Sequence, residues 1–359
     1  MFLYKKRLSV CRFRAMISEQ DAEDVLFRRY AGIPSKSNKF ILAGYKNLKG
    51  VFWFMGRPII LDTDPGIDDA VAFVVLQHYC PSDVRLIVAG YGNITKEHTV
   101  RNALTMCSLL KWDVPVLPGA SGPQKGSYET AAHIHGTDGL GGLSLSEQEK
   151  KPIETDDWLL YLYETICSEG TVDYITLGPL TNLAMLFMRF PDSKKHIGRI
   201  VTMGGGIGKG NVRPYAEFNM FCDPESAAFV LREADHLALI PLNTTETVAF
   251  SLMQIDRIGQ CDTVLAHALY TILKANYAAC TAYGELGSTM HDSTAVLYYL
   301  FPELFSVRKC GIHVNCEKEP GNTELTDRRH NIILAEQTDP ALLLEKIMAC
   351  VMKEYTPHG

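Results

Sequence analysis

Four carboxylates fall within eight positions of IILDTDPGIDDA, residues 59–70: Asp62, Asp64, Asp68 and Asp69. Anions this close repel one another, so folding alone rarely selects them. A hard cation such as Ca²⁺, which takes six to eight oxygen ligands, would turn that repulsion into binding. The Pro65-Gly66 turn separates an apolar run from a helical one and so brings Asp64, at a strand end, back towards Asp69, at a helix start. Asp68 lies beside Asp69 in the first helical turn, where the positive end of the helix favours its anion. From there it is placed to deprotonate a water whose pKa the cation has lowered. One or two acids of such a group would serve as caps, as Asp223 before Pro224 is expected to do. Four exceed that need.

The elements that must hold these residues follow from the hydrophobic pattern. RPIILDTD reads as a strand and DDAVAFVVLQHY as a helix, and the alternation continues: RLIVAGYGN, HTVRNALTMCSLLKW, VPVLPGA, DDWLLYLYETICSEG, DYITLG, PLTNLAMLFMRF, RIVTMGGG, PESAAFVLREA, LALIPLN. Strands separated by helices of ten or more residues indicate βαβ units. The expected fold is therefore α/β: a single open Rossmann-like domain with a mostly parallel sheet and helices on both faces. Residues 311–335 break the rhythm and read as a small hairpin before the last helix, and residues 251–290 read as helical. In an open parallel sheet the ligand sits beyond the carboxyl ends of the strands. Those ends carry the Asp62–Asp69 group, Gly92-Asn93, the HIHGTDGLGGLS loop, Gly178 to Asn182, Gly204 to Gly206 and Asn243. An edge this rich in Asp, Asn and Gly suits an oxygen-rich ligand and a hard cation.

Composition narrows the partners. A formal net charge of -6 argues against a general nucleic-acid binder, and no apolar run is long enough for a membrane span. The ten cysteines are scattered and contain no CxxC pair; Cys310 and Cys316, with His313 between them, fall short of a zinc pattern and read as reduced thiols. The placement implied is cytoplasmic. Residues 1–56 stand apart as an N-terminal extension, leaving 57–359 as the functional domain. The basic start MFLYKKRLSVCRFRA is compatible with organelle targeting.

Two chemistries use a DxD after a strand. Aspartyl phosphatases of the haloacid-dehalogenase type carry DxDx[TV], whereas here the fifth position is Gly66 and the Asp68-Asp69 pair is extra. The other is hydrolysis of a ribosidic bond at a calcium-held ribose. DTDPGIDDA, GN at 92–93, HIHG at 133–136, GPLTN at 178–182, MGGG at 203–206, AEFN at 216–219, DPE at 223–225 and HD at 291–292 occur in that order. Together they resemble the inosine–uridine-preferring nucleoside hydrolases, over about five-sixths of the chain. The resemblance implies that Asp64, Asp69 and Asp292 bind calcium, with the backbone carbonyl of Leu177 as a further ligand where the family usually has Thr, and that Asp62 supports them. It implies that Asp68 is the general base and that His291 donates a proton to the departing base. Asn93, Asn211, Glu217 and Asn219 match residues holding the ribose hydroxyls, and His135 lines the base pocket.

The chemistry of such a reaction agrees with these roles. Cleavage builds positive charge on the ribose and negative charge on the base, so carboxylates and amides belong round the sugar and a proton donor beside the base. His133 and His135 alternate along an extended loop, which would point only His135 inward. His78, His98, His196 and His267 read as ordinary polar residues. The expected substrates are inosine, guanosine and uridine, in purine and pyrimidine salvage, and the family implies a homodimer or homotetramer. A non-catalytic calcium- or sugar-binding protein on the same scaffold remains the third reading, although binding alone requires neither Asp68 nor His291.

Overall fold

The computed structural model describes residues 56–143, 150–327 and 331–352. The N-terminal extension, apart from Gly56, lies outside the described residues. From Gly56 onward the chain forms one compact unit. Its first half runs β1 (Ile59–Thr63), α1 (Ile67–Tyr79), β2 (Val84–Ala89), α2 (Lys96–Leu109), β3 (Val116–Pro118), the single turn α3 (Ala132–His135) and α4 (Trp158–Glu169). Then come β4 (Val172–Thr176), α5 (Thr181–Arg189), β5 (Ile197–Met203), α6 (Phe218–Cys222), α7 (Pro224–Glu233), β6 (Leu237–Ile240) and α8 (Leu242–Thr245). The remainder is β7 (Ala249–Phe250), α9 (Leu252–Gly259), α10 (Val264–Ala282), β8 (Ser288–Thr289), α11 (His291–Leu300), β9 (Phe305–Val314), β10 (Thr323–Thr326), β11 (Ile332–Thr338) and α12 (Pro340–Met352).

Nine strands form one sheet in the order β10-β9-β11-β6-β5-β4-β1-β2-β3. From β6 to β3 all neighbours are parallel, and β11 joins β6 in parallel too. Strand β9 runs antiparallel to both β10 and β11, so the expected hairpin is an extension of the main sheet and begins earlier, at Phe305. The expected helical stretch 251–290 divides into α9 and α10, with the short β7–β8 pair returning the chain to α11.

The chain leaves β1 in one direction through β2 and β3, then crosses back to β4 and proceeds the other way. This reversal beside β1 is the crevice where open α/β sheets bind ligands. It also sorts the helices, because right-handed crossovers running in opposite directions place their helices on opposite faces. One core holds Ile59, Leu61 and the buried faces of α1, α2, α10, α11 and α12; the other holds Ile60, Leu86, Tyr174 and those of α4, α5 and α7. Central parallel strands must be apolar on both sides, which is why IILDT is buried at every position. Among the described residues, no helix is long and apolar enough to cross a membrane.

Candidate active site

Period-two alternation along β1 decides where its polar end points. Asp62 follows Ile60 onto the α5 face, where Oδ2 accepts from the Tyr174 hydroxyl at 2.8 Å and Oδ1 from Asn182 Nδ2 at 2.8 Å. Thr63 takes the opposite face, and its hydroxyl donates to Asp69 Oδ1. Asp64 lies just past the strand end. Its Oδ2 accepts from the backbone N–H of Asn93 at 2.7 Å, and Asn93 Nδ2 donates in turn to the Asp64 carbonyl and to Asp69 Oδ2, each at 3.2 Å. A Cβ at either Gly92 or Gly178 would overlap the Asp64 carboxylate, so glycine is required at both close approaches.

Helix α1 starts at Ile67 and presents Asp68 and Asp69 in its first turn. Asp69 Oδ2 accepts from Gly66 N at 2.8 Å, so this acid also caps the helix. The N–H of Ile67 donates to His135 Nδ1 at 3.1 Å. His135 is buried and His133 exposed, as expected, but the segment is one helical turn and not extended. Residues two apart on a helix point in nearly opposite directions, which yields the same separation by another route. Burial, helped by His291 and His133 nearby, pulls the His135 ring down to about 3, so it is a neutral acceptor for Ile67.

Helix α11 enters from the other side. Asp292 is buried, and its N–H points at Asp68 Oδ2, 3.4 Å away. Asp68, Asp69 and Asp292 each offer a carboxylate oxygen, all within 4.8 Å of one another. The structure thus gathers Asp68 into the tightest acidic group, with Asp64 adjacent. Burial, then the charge of Asp69, pushes Asp68 up to about 7. Burial and the neighbouring acids push Asp64 and Asp292 well above the usual carboxylate range, while burial alone raises Asp62 to about 7 against its two hydrogen bonds. None of the ion pairs among the described residues reaches these five acids. Buried carboxylates without a basic partner are costly as anions, and an all-oxygen donor set suits a hard cation. The residues present therefore fit a metal ion.

On the other flank, Asn219 Nδ2 donates to the Leu177 carbonyl at 2.7 Å, which leaves that oxygen one lone pair for another partner. Glu217 is buried and caps α6: Oε1 accepts from Asn219 N at 2.9 Å, and Oε2 from Gly205 N at 2.8 Å and Met220 N at 3.1 Å. Asn211 is exposed, and its Oδ1 accepts from Phe218 N at 3.0 Å. Asp223 caps α7 through Ser226 N at 3.1 Å, as its place before Pro224 indicates. His291 is the first residue of α11 and makes no cap; its Nδ1 instead lies 2.8 Å from Thr245 Oγ1.

Sequence reasoning missed Thr63, Tyr174 and Thr245, and it placed Asn182 on the ligand-facing edge without its bond to Asp62. Asn182 carried a signal, since it closes GPLTN at a strand-to-helix turn. Thr63 is flanked by the acids and was hidden by them. Tyr174 and Thr245 carry no local signal at all.

Comparison with known proteins places this geometry. The model of the inosine-uridine preferring nucleoside hydrolase family matches residues 59–345. The non-specific ribonucleoside hydrolase RihC of Escherichia fergusonii is 34% identical over 271 residues, covering 74% of this chain and 86% of that protein. Its counterpart from Shigella dysenteriae is 33% identical with the same coverage. Among solved structures, a purine-preferring ribonucleoside hydrolase from Gardnerella vaginalis superposes with a TM-score of 0.77 at 27% identity, over 82% of this chain and 98% of that one. A plant nucleoside hydrolase is similar too, with a TM-score of 0.76 at 26% identity, over 83% and 99%.

Proposed function

The chain belongs to the inosine–uridine preferring nucleoside hydrolases, and from that premise we propose that it uses Ca²⁺ to hydrolyse the N-glycosidic bond of ribonucleosides, releasing ribose and free base. The observation that carries the reading is the buried group of Asp68, Asp69 and Asp292 at the sheet crevice, without a basic partner. Asp64, Asp69, Asp292 and the Leu177 carbonyl would hold the cation, and Asp62, itself held by Tyr174 and Asn182, would support them from the first strand. When bound, the cation supplies positive charge that eases deprotonation of a water and draws the vicinal ribose hydroxyls into place.

This chain's own residues do the rest. Asp68 takes the proton of the attacking water. Asn93, Asn211, Glu217 and Asn219 hold the ribose hydroxyls, and their oxygens favour the positive charge that builds on the sugar as the bond breaks. His291 donates a proton to the departing base, and His135 lines the pocket that receives it. Inosine, guanosine and uridine, whose bases leave more easily once protonated, are the proposed substrates, consistent with nucleoside salvage. Residues 57–359 are the hydrolase domain in this reading, residues 1–56 an extension, and the assembly a homodimer or homotetramer.

Family membership removes the aspartyl phosphatase alternative. To separate catalysis from mere binding, the purified protein is mixed with inosine, with and without a chelator, and free hypoxanthine is measured. Release that stops on chelation and returns with Ca²⁺ supports the proposal; release unaffected by exhaustive chelation overturns the metal, and no release from any ribonucleoside overturns the activity.

A further inference from the structure

The joint between α10 and β8, residues 283–287, belongs to none of the motifs above. Helix α10 ends at Ala282, and the chain turns through Gly284, whose φ of 88° suits glycine. The N–H of Glu285 then donates back to the Cys280 carbonyl at 3.0 Å, which fixes its backbone on the helix end. Its side chain is half-buried, and Oε2 accepts from the hydroxyl of Thr289, a buried residue two positions before His291. On the other side, Tyr283 meets His133 edge-on with ring centroids 5.4 Å apart, and His133 shares the turn α3 with His135. Glu285 is therefore held between the two elements that carry His135 and His291. Its charge is felt on the inner side of that space: burial first, then Glu285 and more weakly Asp68, pushes the Cys280 thiol up to about 12. After burial, Glu285 is also the charge that acts most on His291.

None of the ion pairs among the described residues includes Glu285. Thr289 occupies one of the about four lone-pair sites of a carboxylate, a group that only accepts. Such a group in a base pocket selects for donors. Hypoxanthine and uracil present a single N–H flanked by carbonyl oxygen, which a carboxylate repels. Guanine presents N1–H and its 2-amino group side by side, a pair that two carboxylate lone pairs can match. We propose that Glu285 determines specificity: its carboxylate accepts from N1–H and the 2-amino group of guanine and makes guanosine the preferred substrate. This rests on the reading of the site as a ribonucleoside hydrolase and names the base that it favours. Selection works largely through the other bases, because a buried polar group left unpaired costs more than a matched one gains. The backbone bond to Cys280 and the hydroxyl of Thr289 place the carboxylate before any ligand arrives.

The test measures kcat/KM of the calcium-loaded enzyme on guanosine, inosine, 1-methylguanosine and p-nitrophenyl riboside. The parent should favour guanosine over inosine, and over 1-methylguanosine, by about tenfold or more, the usual worth of a hydrogen bond to a charged group. Glu285→Gln keeps the size but offers one acceptor and one donor, which suit N1–H and O6 of hypoxanthine. In that variant guanosine should lose about 10- to 100-fold and fall to or below inosine. Glu285→Ala should bring the two nucleosides within about twofold of each other, since neither then finds a partner. The nitrophenyl substrate has no such donors, so the loss should be confined to the nucleosides. A parent without preference for guanosine, or an equal loss on all four substrates in Glu285→Gln, overturns the proposal. The failures are distinguishable. If the parent releases base from ribonucleosides but Glu285→Gln leaves their order unchanged, only the Glu285 role falls; if the parent releases base from none, the hydrolase reading falls and this inference with it.

Discussion

Replacing Asn182 with leucine, a side chain of similar size, should test how the strand-end acids are supported. Asn182 is buried at the start of α5 and joins two strands through one amide. Its Nδ2 donates to Asp62 Oδ1 at 2.8 Å, and its Oδ1 accepts from the backbone N–H of Ala120, past β3, at 2.8 Å. The first is a bond to a carboxylate, worth about 1.5–3 kcal/mol. The second, once lost, leaves a buried N–H unpaired at about 1–3 kcal/mol. The two together predict a loss of about 3–5 kcal/mol, and a fall in Tm on the order of 10 °C at roughly 2–4 °C per kcal/mol. Tyr174→Phe removes the other donor to Asp62 and leaves no orphan except on Asp62 itself, so about 1.5–3 kcal/mol is expected. Because both changes act on one carboxylate, the double variant should depart from additivity. Urea and thermal unfolding of the calcium-loaded protein measure all three. A loss below about 1 kcal/mol for Asn182→Leu, or strict additivity, would show that Asp62 is not held as described.

Elemental analysis should find one Ca²⁺ per chain, and chelation should abolish turnover; full activity without metal would end that assignment. Asp68→Ala should keep fold and metal but lose most of kcat, whereas Asp69→Ala should lose the metal. Near-normal kcat in Asp68→Ala would reverse the two roles. His291→Ala should slow inosine by about 10²-fold or more while scarcely touching a nitrophenyl riboside, within the usual range for proton donation, and steady-state rates on both substrates decide it. Asp223→Ala should destabilise by at least about 2 kcal/mol, because it removes the α7 cap and also the buried acceptor for Thr181 Oγ1, Ser226 Oγ and the Gln124 N–H, read by chemical denaturation, with little change in KM.

The sequence alone determined what depends on neighbours within a few residues. The strand–turn–helix of residues 59–79, the place of Asp68 and Asp69 in the first turn of α1 and the Asp223-Pro224 cap are local geometry, and local hydrogen bonds and side-chain periodicity suffice to read them. The α/β class was legible too, since alternating strands and long helices leave few other ways to bury their faces. The ordered motifs extended that reading to the family. Tertiary structure decided which distant residue supplies each partner. Asp292 lies 224 positions from Asp68, yet it joins Asp68 and Asp69 in the tightest acidic group, with Asp64 beside it. Whether Asp62 and Thr63 face the same helix depends on the sheet having two covered faces, and only the folded chain shows Tyr174 and Asn182 on one and Asp69 on the other. Thr245 meets His291 because β6 and α8 stop beside the start of α11. A threonine in a short polar stretch looks the same in sequence whether it faces solvent or a histidine ring, because that choice is made by the packing of crossovers and not by the residues next to it.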